Sequence, residues 1–142
     1  MNELFQALSP ELCEELSLYE EQSVFPAGTK LIRQDIFPED LIIICQGTVE
    51  ISVLVGSRLM PLDKAGAGKV LALLPILAGT LPEIEATTLE ECIVARIPRE
   101  RFLQVLQAHP EMYFAISRVL STALNTAERF LREIPRAGSR EN

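Results

Sequence analysis

The groups that could do chemistry gather between Gly68 and Glu91, in the stretch GKVLALLPILAGTLPEIEATTLEE. Leu71, Leu73, Leu74 and Ile76 supply an apolar lining, and Thr87 and Thr88 offer hydroxyls. Lys69 and, further off, Arg33 are the cations within reach, while Glu83, Glu85, Glu90 and Glu91 crowd the second half. Pro75 fits a helix only in its first turn, so the apolar run reads as a short helical turn that Gly79 closes. An irregular insert of this kind between strands is where a β scaffold carries a ligand. The chemistry implied is binding, with no bond making. The three cysteines, Cys13, Cys45 and Cys92, are widely scattered with no CxxC pair, so no metal site is expected. The single histidine, His109, precedes Pro110 with no partner in sequence and reads as a helix-flanking residue. No Ser/His/Asp or Cys/His set is present, so no catalytic residue is assigned and the chain does not read as an enzyme.

The chain must position that stretch, and its bounds are narrow. It has 142 residues, 48% of them hydrophobic, enough for one domain with a core of its own. The net charge of -7 argues against a surface for nucleic acid. Residues 1–29 hold six Glu and no Lys or Arg, whereas residues 96–142 hold eight Arg and five Glu. A solvated helix face explains this asymmetry as well as a charged partner does. There is no signal pattern and no run of membrane-spanning length, so the expected place is the cytoplasm.

Taken in order, Asn2 caps a first helical segment carrying Leu4, Phe5 and Leu8. Ser9-Pro10-Glu11 starts a second, with acids facing the positive end of its dipole. From Val24 the period becomes that of strands. Phe25-Pro26-Ala27-Gly28 makes a turn, Lys30–Ile32 a short strand, and Leu41–Cys45 a buried one. Val49 to Val55 alternates, Gly56-Ser57 suits a hairpin turn, and Arg58–Leu62 returns. Lys64 to Gly68 is a loop. Ile84–Thr88 and Cys92–Ile97 are two more strands. Pro98 begins a helix with Phe102, Leu103, Val105 and Leu106, and Pro110 begins another that reaches Ile134. The fold class is mainly β with flanking helices. Residues 1–134 form the domain: a helical N-terminus over 1–22, a β-roll over 23–97 and C-terminal helices over 98–134. Residues 135–142 are a tail.

Phe25-Pro26-Ala27-Gly28-Thr29, Asp40-Leu41-Ile42-Ile43-Ile44 and Gly47-Thr48-Val49-Glu50-Ile51 resemble the cyclic nucleotide-binding domain. Ile97 to Phe102 and His109-Pro110-Glu111 resemble its catabolite-activator and fumarate/nitrate-regulator branch. The resemblance implies a β jelly roll with a long C-terminal helix, a regulatory role, and a phosphate-binding cassette in the Gly68–Glu91 stretch. Nucleotide binders there use Gly-Glu-x-Ala-Leu-Leu and then Pro-Arg-x-Ala-Thr. The Glu grips the ribose, the Arg pairs with the cyclic phosphate, and backbone amides of the short helix help hold the anion. Matched without gaps, Lys69, Val70 and Leu71 lead to Ala72 at the glycine and Leu73 at the ribose Glu, followed by Leu74. The Arg position falls on Pro82, or on Glu83 with a shift of one. No basic residue lies between Val70 and Glu91. The cyclic-phosphate site therefore reads as lost. What remains is either a pocket for an apolar ligand or haem, as in gas-sensing relatives, or leucines that fill the roll themselves. Regulators of this branch continue into a helix-turn-helix domain after the long helix, and here Pro135 to Arg140 reads as a tail. The chain is therefore either a module that stands alone or a piece of something larger.

The last helix carries Ile116, Leu120, Ala123, Ala127, Phe130 and Ile134 four and three apart, the seam of a coiled coil. The expectation is a homodimer through this seam, with a protein partner downstream. The other reading packs the seam on the chain's own β-roll.

Overall fold

In the computed structural model, residues 2–121 are described. Helix α1 (Glu3–Ala7) starts where the Asn2 side chain accepts the Phe5 N–H at 2.8 Å. Helix α2 (Pro10–Ser17) starts on the Ser9 hydroxyl, with proline at its first position and Glu11 in its first turn. Both helices turn their apolar sides inward, so Leu4, Phe5, Leu12 and Leu16 are buried.

Eight strands follow among the described residues: β1 (Glu21–Phe25), β2 (Lys30–Ile32), β3 (Asp40–Gln46), β4 (Val49–Val55), β5 (Arg58–Ala65), β6 (Val70–Leu71), β7 (Glu85–Thr88) and β8 (Cys92–Pro98). They form two four-stranded antiparallel sheets, in the orders β1-β8-β3-β6 and β2-β7-β4-β5. This is the jelly-roll arrangement of a mainly β domain. The helices α3 (Leu73–Ala78) and α4 (Arg99–Ala108) lie after β6 and β8. A fifth, α5, is described over 112–121.

The burial pattern follows from the layers. Leu41 to Ile44 is an unbroken buried run because α4 packs against β3 and β8 from outside the roll. In the second sheet, β5 is an edge strand and is exposed at nearly every position. Phe102, Leu106, Met112 and Ile116 join Leu16, Leu41 and Ile97 in one core that ties the helices to the roll. No helix among the described residues is long and apolar enough to cross a membrane.

Four boundaries differ from the sequence reading. The helical N-terminus ends at Ser17, and β1 begins at Glu21, inside the span read as helical to residue 22. β5 runs on to Ala65 through residues read as a loop. The pair Val70–Leu71 is a strand against β3. Pro110 and Glu111 form a turn that precedes α5.

Candidate functional site

The Gly68–Glu91 stretch is anchored from its first residues. The Gly68 N–H donates to Ile44 O at 2.7 Å and its carbonyl accepts from Glu3 N at 2.8 Å. The Val70 N–H donates to Glu3 Oε2 at 2.8 Å, and Lys69 Nζ lies 3.8 Å from Glu3 Oε1. Lys69 therefore stands at the α1–β6 junction, with its side chain about half exposed.

Ala72 comes next, with φ 74° and ψ 9°. It is the one non-glycine residue in the left-handed region among those described. A Cβ there crowds the following carbonyl, at a cost of roughly 1–2 kcal/mol. Ala72→Gly relieves that strain, but it gives up a buried methyl worth about 0.8 kcal/mol and frees the unfolded chain by about 0.4–1 kcal/mol. Stability is therefore expected to stay within about 1 kcal/mol of the parent, where an alanine-to-glycine change elsewhere in the core would lower it. Urea denaturation of the two proteins checks it.

Helix α3 follows at once. Pro75 sits in its first turn, as its fixed φ requires. At the far end Gly79 is also left-handed, and the Gly79 and Thr80 N–H groups both close on Pro75 O, at 2.8 and 3.1 Å. Leu71, Leu73 and Ile76 are buried in the core, whereas Leu74 is 47% exposed. The apolar residues expected to line a ligand thus divide, three filling the roll and one facing solvent.

The second half of the stretch is equally occupied. Pro82 is buried and Glu83, Glu90 and Glu91 are exposed. Glu85 alone turns inward. Its carboxylate pairs with Lys30 Nζ on β2 and accepts the Gln34 N–H at 3.2 Å. The Lys30 hydrogen bond, then the Gln34 N–H, hold its pKa below the ordinary carboxylate range against the effect of burial. The sign follows: a lowered folded pKa gives stability that is complete above the unfolded carboxylate range of about pH 4–5. That contribution is lost as acid titrates the folded group. Glu85→Gln is expected to flatten the acid limb of the stability–pH curve, measured by thermal melts from neutral pH downward.

Thr88 is spent on structure. Its hydroxyl accepts the Thr29 N–H and donates to Pro26 O, both at 2.8 Å, and so fastens the 26–29 turn. The Thr87 Oγ1 is enclosed and has no hydrogen-bond partner among the described residues. Arg33 is half exposed and lies 3.4 Å from Asp35. His109 faces Glu15 Oε1 at 3.1 Å with Nε2, and its Nδ1 lies 3.6 Å from Glu111 Oε2, so both ring nitrogens address carboxylates.

Of two surface cavities, of about 380 and 340 Å³, the larger touches the stretch only at its first residue, Gly68, and the smaller is lined by residues 30–42. On the seam, Ile116 is 2% exposed and Leu120 packs on the same core. Ile116 is thus covered by its own chain, as in the reading that packs the seam on the β-roll. Ala123, Ala127, Phe130 and Ile134 lie outside the described residues. Among the described residues of α5, the large apolar groups left uncovered are Tyr113 and Phe114, 55% and 78% exposed. The sequence reading missed the Lys30–Glu85 pair and the Thr88 fastening. Both join β2 or its preceding turn to β7, and nothing local in sequence brings those segments together.

A family model for the cyclic nucleotide-binding domain matches residues 22–109. No curated protein sequence matches the chain. Among solved structures it is similar to the catabolite activator protein of Thermus thermophilus, with 20% identity and a TM-score of 0.77 over 92% of this chain and 62% of that one. It is similar to the sensor domain of the transcriptional regulator DNR from Pseudomonas aeruginosa, with 21% identity and a TM-score of 0.72 over 96% and 91%. A third is the regulatory subunit of a cAMP-independent protein kinase A from Trypanosoma brucei, as a triple mutant bound to cAMP in the A site. There identity is 17% and the TM-score 0.75, over 93% of this chain and 47% of that one. The chain spans about three-fifths of the length of the first of these and half of the third. At these identities the likeness is one of fold.

Proposed function

The chain belongs to the cyclic nucleotide-binding domain family, and from that membership we propose a regulatory domain that has lost cyclic nucleotide binding and works by dimerisation and contact with a partner protein. The observation that carries this reading is the residue at the ribose position. The ungapped match to the family motif sets Ala72 at the glycine and Leu73 at the ribose Glu. A left-handed Ala72 (φ 74°), a conformation natural to glycine, supports that match, and Leu73 is 5% exposed in the core. An apolar, buried side chain there can accept no hydrogen bond from a ribose hydroxyl.

The anion has also lost its partners. No Lys or Arg stands between Val70 and Glu91. Pro75 removes one backbone N–H from the first turn of α3, where amides would face a phosphate. Each charge-assisted hydrogen bond forgone is worth roughly 1.5–3 kcal/mol. A relative of the same fold described as cAMP-independent is in keeping with this reading. For dimerisation, the support is the exposed pair Tyr113 and Phe114 on α5, large aromatics of the kind that interfaces bury.

Titration calorimetry with cyclic AMP and with cyclic GMP is the test. No heat of binding is expected at micromolar ligand, and a micromolar or tighter dissociation constant for either overturns the proposal. Sedimentation equilibrium on the same sample addresses assembly: a dimer is expected, and a monomer at tens of micromolar overturns that part.

A further inference from the structure

The larger cavity lies between the N-terminal helices and the β3–β8 side of the first sheet. At about 380 Å³ it is in the range of small-ligand sites. Its walls include Phe5, Ile43 and Ile44, and its polar groups include the Glu20 carboxylate, the Ser17 hydroxyl and the exposed thiol of Cys45.

Glu20 is the unusual member. Among the described residues six acidic side chains are buried or half-buried, and five have a partner. Glu3 has Lys69 and the Val70 N–H, Glu15 has His109, Asp40 has Arg96, Glu50 has the Ser52 hydroxyl, and Glu85 has Lys30. Glu20 is half-buried, and among the described residues its carboxylate meets neither a cation nor a hydrogen-bond donor. A partly desolvated carboxylate without a partner is costly, and proteins keep such groups where something else completes them.

We propose that this cavity binds a primary ammonium group carried on a small apolar body, with Glu20 as its counter-ion. A primary ammonium has three donors and no acceptor, which suits a site whose one charge is an unpaired carboxylate. The Ser17 hydroxyl already donates to Cys13 O at 2.8 Å, so its oxygen is left to accept. Phe5, Ile43 and Ile44 take the apolar part. A metal ion fits less well, because Glu20 and Cys45 are two ligands where a structural ion takes four. Burial, with nothing to offset it, pushes the Glu20 carboxyl up, as expected of a carboxylate waiting for a cation.

Cys45 provides the readout. Its thiol is pushed up by burial and by the Glu20 charge, so labelling needs mildly alkaline buffer. The rate of Cys45 modification by N-ethylmaleimide is followed by peptide mass mapping, with Cys13 as internal control, at increasing benzylamine. Benzylamine is expected to slow Cys45 selectively, and benzyl alcohol at equal concentration is not. In Glu20→Gln, whose fold is verified by its melting curve, the apparent affinity for benzylamine is expected to fall by about tenfold or more. Equal protection by the alcohol, or protection that survives Glu20→Gln, overturns the proposal. The same titration on protein with an acetylated N-terminus separates a free amine from the chain's own terminal ammonium. Tighter benzylamine binding after acetylation supports the same chemistry with the chain as its source, and protection in neither form overturns it.

Discussion

Gly47→Ala is expected to be the most damaging small substitution in this domain, costing roughly 3 kcal/mol or more. Gly47 joins β3 to β4 with φ 102°, a conformation that L side chains rarely adopt. A methyl group there would come within 2.6 Å of Cys92 Sγ, 2.9 Å of Glu91 O and 3.0 Å of Cys92 Cα. Two of these three atoms belong to backbone at the start of β8, which cannot retreat without disturbing its pairing with β1 and β3. The sulfur is no freer, since it is buried and reaches Thr48 O and Glu90 O at 3.5 and 3.3 Å. Urea unfolding should show a large fall in midpoint. Adding Cys92→Ala should recover only part of it, because it removes one contact of the three. Full recovery would place the whole cost on the sulfur and refute the backbone argument.

Thr88→Val should cost about 1–3 kcal/mol, and Thr88→Ser about 1 kcal/mol or less. Thr88 is 1% exposed, so valine fits its space but not its chemistry. The valine leaves the Thr29 N–H, which is partly buried, without its acceptor. Pro26 O suffers less, because the Thr29 hydroxyl also reaches it, at 2.7 Å. Serine keeps the oxygen and loses only a buried methyl. The ordering of the two variants is the test: equal melting temperatures would mean that the hydroxyl holds nothing and the methyl does the packing.

Much of the roll is written in local pattern. Val49 to Val55 alternates and is a strand, Gly56-Ser57 turns it, and Leu41–Ile44 is an apolar run that proves buried. Pro75 points to the first turn of α3, where it lies. What escaped the sequence had no apolar rhythm to give. Glu21–Phe25 reads EQSVF and has no fully buried position, so β1 is a strand by virtue of its ladder with β8. β5 is exposed along nearly its whole length and contains Pro61, so neither burial nor propensity marked its end. The site was legible as a departure, since Leu73 and the missing base can be read from the letters alone. Where the polar groups went was not. Glu85 meets Lys30, and Glu20 meets the cavity beside Cys45, through contacts between segments far apart in the chain.

The order β1-β8-β3-β6 has a consequence in time. Each neighbour in that sheet is remote in sequence: Glu21 sits opposite Arg96, and Asp40 opposite Pro98. On a ribosome, the first strand is finished long before its partner, β8, exists. β3 waits too, with four consecutive apolar side chains uncovered until β8 and α4 are made. The second sheet differs, because its β4–β5 hairpin closes as it emerges. Pairing at such separations is slow, and what waits for it is prone to wrong partners. The nascent chain thus stays without half its roll until residue 98 has been added, and it depends for that interval on being kept from its neighbours.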